Sequence, residues 1–145
     1  MEIKTGIGLD QLIFGMSYEE VRNILGEPDK ILETEKIDGV VYYFYDQLIK
    51  TKFDKRKNEK LYSIEVHNPE VSFFNQKVIN KTKTEIEMLL KNNGYTDLEY
   101  EDYEIFDTIF CEEIWTTFQF ELNRLRNIEF SPLYKDDKIV WPKKA

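Results

Sequence analysis

The sharpest pattern of apolar and polar positions lies at Glu113–Leu122. Ile114, Thr116, Phe118, Phe120 and Leu122 alternate there with Glu113, Trp115, Thr117, Gln119 and Glu121. A period of two marks a strand with one buried and one solvated face. By the same logic Ile49, Thr51 and Phe53 oppose Lys50 and Lys52. Tyr62, Ile64 and Val66 oppose Ser63, Glu65 and His67, and Ile128 and Phe130 oppose Asn127 and Glu129. Further strand-like stretches run near Val40–Tyr45, Leu48–Phe53 and Leu98–Phe106. The last loses its alternation at Glu101-Asp102, where a bulge or a bend is expected. Helical spacing occurs twice, at Val21, Ile24, Leu25 and at Ile86, Leu89, Leu90.

These elements repeat. Leu9–Leu25 matches Phe74–Leu90 at a spacing of 65 residues. Ser17 pairs with Thr82 and Glu20 with Glu85, so each copy carries the S/T-x-x-E capping box of a helix start. Gly15 pairs with Asn80, two residue types that tolerate positive φ, and Gly26 and Gly94 supply the helix stops. Downstream, Leu61–Val66 matches Leu125–Phe130 at a spacing of 64, each followed by a proline turn at Pro69 or Pro132. Each unit reads as one helix followed by three antiparallel strands. The expected fold class is α+β: two tandem α-β-β-β repeats, about 7–70 and 72–134, in a single domain spanning 1–145 with a short C-terminal tail. The helices are expected to cover one face of an antiparallel sheet and leave the other partly open.

Composition narrows the function. A length of 145 residues suits one domain, and 41% hydrophobic with 33% charged residues suits a folded one. No run approaches 18 apolar residues, so no membrane helix is expected. The N-terminus lacks the basic and apolar regions of a secretory signal, and the single cysteine, Cys111, cannot form an internal disulfide. Both point to the cytoplasm. A net charge of −8 argues against nucleic acid as a partner. Its distribution says more. No Lys or Arg occurs from Asn92 to Asn123, a window rich in Asp and Glu, whereas Lys50, Lys52, Lys55, Arg56, Lys57 and Lys60 form a basic knot.

Catalytic and cofactor signatures are lacking. One histidine, His67, and one cysteine are too few for a usual zinc site. Cys111 sits in the apolar run Ile109-Phe110-Cys111, which suits an inert buried thiol. Gly6, Gly8 and Gly15 lack the Lys-Ser/Thr of a phosphate loop. Glu99, Glu101, Asp102 and Glu104 lack the spacing and turn glycine of a calcium loop. Glu112 and Glu113 would point to opposite faces of a strand. The chain is read as a non-enzyme without cofactor or metal.

The segment Phe14-Gly15-Met16-Ser17-Tyr18-Glu19-Glu20-Val21, continuing to Leu25-Gly26-Glu27-Pro28, resembles the F-G-M-S/T-x-x-E-V…L-G-x-P opening of small bacterial BamE-like and beta-lactamase-inhibitor-like proteins. That resemblance implies helices on a curved antiparallel sheet. It also implies, from the tandemly duplicated inhibitor, binding of a protein through the concave sheet face. The expected function is a cytoplasmic protein-binding module of immunity or inhibitor type, its natural target a basic toxin or nuclease. Glu99, Glu101, Asp102 and Glu104 would steer the partner, Trp115 and nearby tyrosines would anchor it, and Glu113, Gln119 and Glu121 would complete the binding surface. Two alternatives stay open: a structural or assembly module without inhibitory activity, and a small-ligand protein or enzyme with a site between the repeats. Monomer and homodimer are equally open, because exposed edge strands can pair.

Overall fold

In the computed structural model, which describes residues 1–34 and 38–143, the chain opens with three short antiparallel strands. These are β1 (Ile3–Lys4), β2 (Gly8–Leu9) and β3 (Leu12–Ile13), and they lead into α1 (Tyr18–Leu25). Four strands follow: β4 (Lys30–Thr34), β5 (Gly39–Phe44), β6 (Ile49–Asp54) and β7 (Lys60–Val66). The second half starts with the hairpin β8 (Ser72–Phe73) and β9 (Gln76–Lys77), then α2 (Lys83–Asn92). It too continues with four strands: β10 (Leu98–Asp102), β11 (Asp107–Cys111), β12 (Thr116–Glu121) and β13 (Arg124–Phe130). A hairpin of β14 (Leu133–Lys135) and β15 (Lys138–Val140) ends the chain. The eight long strands make one antiparallel sheet in the order β4-β5-β6-β7-β13-β12-β11-β10.

The fold is mainly β, which corrects the expected α+β class. Strand accounts for 46% and helix for 17%, the latter made of two α-helices of eight and ten residues and two three-residue 3-10 turns. Much of the cover on the apolar face comes from the short strands and the residues that follow them, which bury Ile3, Leu9, Leu12, Phe14, Phe73 and Val78. The helices add Val21, Ile86, Leu89 and Leu90 to the same core. Each unit also has four sheet strands, not three. In the first unit the additional strand is β4, an edge strand with Ile31 and Leu32 exposed, which has no alternation to betray it. In the second, Leu98–Phe106 is no single strand: the chain reverses at 103–106 and returns as β11.

The halves share detail beyond their order. Both capping boxes form, with Ser17 Oγ accepting from the Glu20 N–H and Thr82 Oγ1 from the Glu85 N–H, each at 3.2 Å. The Gly15 N–H donates to the Leu61 carbonyl and the Leu61 N–H to the Met16 carbonyl. Asn80, Leu125 and Lys81 make the same pair of bonds. The β6–β7 register slips between Lys52 and Phe53, and the β12–β13 register slips between Gln119 and Phe120. The short hairpins correspond one residue differently from the helices: Gly8 faces Ile13 where Ser72 faces Lys77. Leu9 therefore matches Phe73, and Asp10 matches Phe74. The units meet at β7 and β13, where Glu65 faces Glu129, Ile64 faces Phe130 and Val66 faces Ile128. A local two-fold thus passes between Glu65 and Glu129.

Candidate functional site

The core claims one face of the sheet. On the other, the register lines up one side chain from every strand: Glu99, Phe110, Thr117, Glu129, Glu65, Lys50, Tyr43 and Lys30. None of these belongs to the core cluster. The row is acidic at the β10 end, basic at the β4 end and mixed at the two-fold.

At the centre, Lys52 Nζ donates to Glu129 Oε2 at 2.9 Å and the Ser63 hydroxyl donates to Glu129 Oε1 at 3.3 Å. Lys50 Nζ lies 3.2 Å from Glu65, and Glu65 shares a hydrogen bond with His67. Burial pushes the Glu65 carboxyl up, but the hydrogen bond with His67 and the charges of Lys50 and Lys52 outweigh it and hold the group down at about 2. Burial likewise pulls the Lys52 ammonium down, and the contact with Glu129 more than reverses this, so its pKa is raised. These lysines come from the basic knot of the sequence. Three of its other members are also engaged: Arg56 and Lys57 bond Asp54, a carboxylate only 2% exposed, and Lys60 Nζ stands 5.0 Å from the Trp141 ring centre.

At the basic end, Lys30 and Lys50 place their ammonium groups 5.2 and 5.1 Å from the Tyr43 ring centre. At the acidic end, Glu99, Glu101, Tyr103, Phe106, Thr108, Phe110 and Thr117 line a groove of about 460 Å3. The Tyr103 and Phe106 rings stack at 4.8 Å. The Tyr103 hydroxyl donates to Glu101, a bond that raises the phenol pKa. Two carboxylates thus border an aromatic floor, an arrangement suited to a cationic side chain.

Of the residues expected to bind a partner, Glu99, Glu101, Gln119 and Glu121 share this face, Gln119 standing opposite Thr108 and Glu121 ending the same alternate row of β12. Trp115 is not in the strand. Glu112–Ile114 form a 3-10 turn and Trp115 follows it at φ 47°, so β12 begins only at Thr116. Its half-buried ring meets Phe110 edge-on at 5.3 Å and Tyr134 at 4.7 Å, at the rim of the face. Asp102, Glu104 and Glu113 lie elsewhere. Asp102 is in the alternate row with Leu98 and Tyr100, Glu104 is in the β10–β11 turn at φ 73°, and Glu113 is in the 3-10 turn. Glu121 ends β12 beside Arg126, 3.9 Å away. Tyr103, Phe106 and Phe110 were missed, because a reversal inside an apparent strand hides which side chains converge.

Cys111 and His67 do not meet. The thiol is fully buried on the core face, where burial pushes its pKa up, and His67 lies with Glu65 on the opposite face. Among the described residues no group of three His, Cys, Asp or Glu side chains could hold a metal ion. No helix among them is long and apolar enough to cross a membrane.

No family model and no curated protein matches the chain. A solved structure is similar to it: the 1.5 Å crystal structure of an extracellular protein containing a SCP domain from Bacillus anthracis str. Ames, with a TM-score of 0.53 and 14% identity. The match covers 91% of this chain and 47% of that one, so the chain spans about half the length of that protein. At this identity the likeness is one of fold.

Proposed function

We propose that the chain is a protein-binding module of inhibitor type that receives a cationic segment of its partner on the acidic end of the open sheet face. The observation that carries this reading is the groove between Glu99, Glu101 and the rings of Tyr103, Phe106 and Phe110. Carboxylates at an exposed edge raise the encounter rate with a basic partner, and aromatic surface beneath them slows release. The motif at Phe14–Pro28 lends support, since it resembles proteins of which one binds its enzyme through a sheet face. Trp115 contributes by bracing Phe110 from the rim. The opposite, basic end of the row orients the partner, because a wrongly turned cationic segment would meet Lys30 and Lys50.

The experiment is affinity capture at low and high salt, comparing the wild type with Glu99→Lys/Glu101→Lys, followed by association kinetics on the protein recovered. The wild type is expected to retain a basic protein at low salt, with an association rate at least about tenfold faster than the variant's. Equal association by the charge-reversed variant, or an acidic partner, would sink the proposal.

A further inference from the structure

A cavity of about 370 Å3 opens between the β2–β3 hairpin, the end of α1 and the β5–β6 turn, within the size range of small-molecule sites. Leu9, Leu12, Ile24, Leu25 and Ile49 wall it, and Met1, Asp10, Gln11 and Gln47 complete its lining, the Asp10 carboxylate standing 3.9 Å from the N-terminal ammonium of Met1. The Gln47 amide is tied to the fold, donating to the Leu25 carbonyl at 3.3 Å. The apolar walls offer dispersion contacts to a ring that enters between them.

The second unit shows what the same place holds when it is filled. Asp10 corresponds to Phe74, and both adopt the same left-handed backbone, at φ 51° and 50°. Ile24 and Leu25 correspond to Leu89 and Leu90, and Gln47 to Ile114. In the second unit Phe74 packs against the core and stacks on Tyr95 at 5.9 Å with the rings 16° apart. The Tyr95 N–H donates to the Leu90 carbonyl, which brings this ring over the end of α2. The first unit has neither ring. Asp10 instead turns its carboxylate to the Glu2 N–H at 2.8 Å, and α1 stops at Leu25, followed by Gly26-Glu27-Pro28. One unit therefore closes the space with its own stacked rings and the other leaves it open.

From this asymmetry we propose that the first-unit cavity binds a small neutral aromatic molecule, a single-ring phenol being the class that best matches walls of leucine and isoleucine with an amide beside them. The site is separate from the open sheet face, so its fate does not depend on the protein-binding reading.

The test is methyl NMR of the full chain titrated with p-cresol, with benzoate as the charged control. Saturable shifts confined to the methyls of Leu9, Leu12, Ile24, Leu25 and Ile49 are expected, with benzoate at least tenfold weaker. Asp10→Phe supplies the ring that the second unit carries and is expected to weaken p-cresol binding at least tenfold. Should that variant fail to fold, Ile24→Phe narrows the cavity from the helix side and carries the same expectation. Absence of saturable shifts in the wild type overturns the proposal. So do shifts centred on the methyls of Leu89 and Leu90 in the second unit, benzoate binding as tight as p-cresol, or undiminished binding by a folded cavity-filling variant.

Discussion

Glu65 and Glu129 face each other across the local two-fold because they occupy equivalent positions in the two units, so duplication places like charges together at the centre of the sheet. The repulsion is answered by Lys50, Lys52 and His67 around Glu65, and by Lys52 and Ser63 on Glu129. A carboxylate held at about 2 when folded, against an ordinary 4.5, stabilises the fold above pH 4.5 and loses that contribution as the pH falls toward 2. Glu65→Gln is therefore expected to cost on the order of 2 kcal/mol at pH 7 and much less near pH 2. Urea unfolding at a series of pH values measures this: the wild-type free energy should fall more steeply between pH 4.5 and 2 than the variant's. Parallel curves would mean that the surrounding cations contribute nothing through this group. The lysines were legible in the sequence as a basic knot, but their partners were not. Glu129 lies 77 positions from Lys52, and only strand pairing at the two-fold brings them together.

Both capping boxes were readable because the signal is local: a hydroxyl and a carboxyl three residues apart satisfy each other's backbone donors. The β11–β12 connection misled for an equally physical reason. Ile114 is buried in the 3-10 turn and Thr116 is buried at the start of β12, so alternation runs unbroken through a reversal of the chain. The β10–β11 reversal did leave a signal, the broken alternation at Glu101-Asp102, but a break of that kind does not tell which side chains converge, and the aromatic floor of the groove stayed hidden. The first-unit counterpart of the Trp115 turn is Tyr45–Leu48, closed by Leu48 N–H to the Tyr45 carbonyl, as Trp115 N–H closes on Glu112. Leu48 and Trp115 share the left-handed region, at φ 56° and 47°, which costs an ordinary side chain about 1–2 kcal/mol. Leu48 is 44% exposed, so Leu48→Gly relieves strain with little packing to lose and is expected to stabilise by about 0.5 kcal/mol. Trp115→Gly forfeits the contacts with Phe110 and Tyr134 and is expected to destabilise by about 1 kcal/mol or more. Urea midpoints moving in opposite directions would bear this out, whereas a fall in both would show that backbone strain is minor at these turns.

At the scale of the molecule, sequence repetition revealed two units but not how they join. Which strands pair depends on the edges each unit exposes, a tertiary property without a local signature. The junction itself is narrow, three residue pairs between β7 and β13, yet Ile64, Val66, Ile128 and Phe130 are all fully buried there. Phe14 of the first unit meets Phe130 of the second edge-on at 5.4 Å, which carries the core across the boundary. Units that shared only backbone bonds could open separately; units that share a core lose apolar burial in both when either opens. One cooperative transition is therefore expected, and the two tryptophans report on different parts of it. Trp115 sits in the second unit beside Phe110, whereas Trp141 rests where Gly15 leaves room, a Cβ there standing 3.4 Å from its ring, under Lys60 of the first unit. Fluorescence of Trp115→Phe and Trp141→Phe through a urea gradient should give slopes equal to those from circular dichroism of the same variant, with the two fluorescence midpoints differing only by each substitution's effect on global stability. A fluorescence transition displaced from the circular dichroism curve of its own variant would instead show that one unit melts before the other. The β7–β13 junction would then be a contact between two separately stable halves.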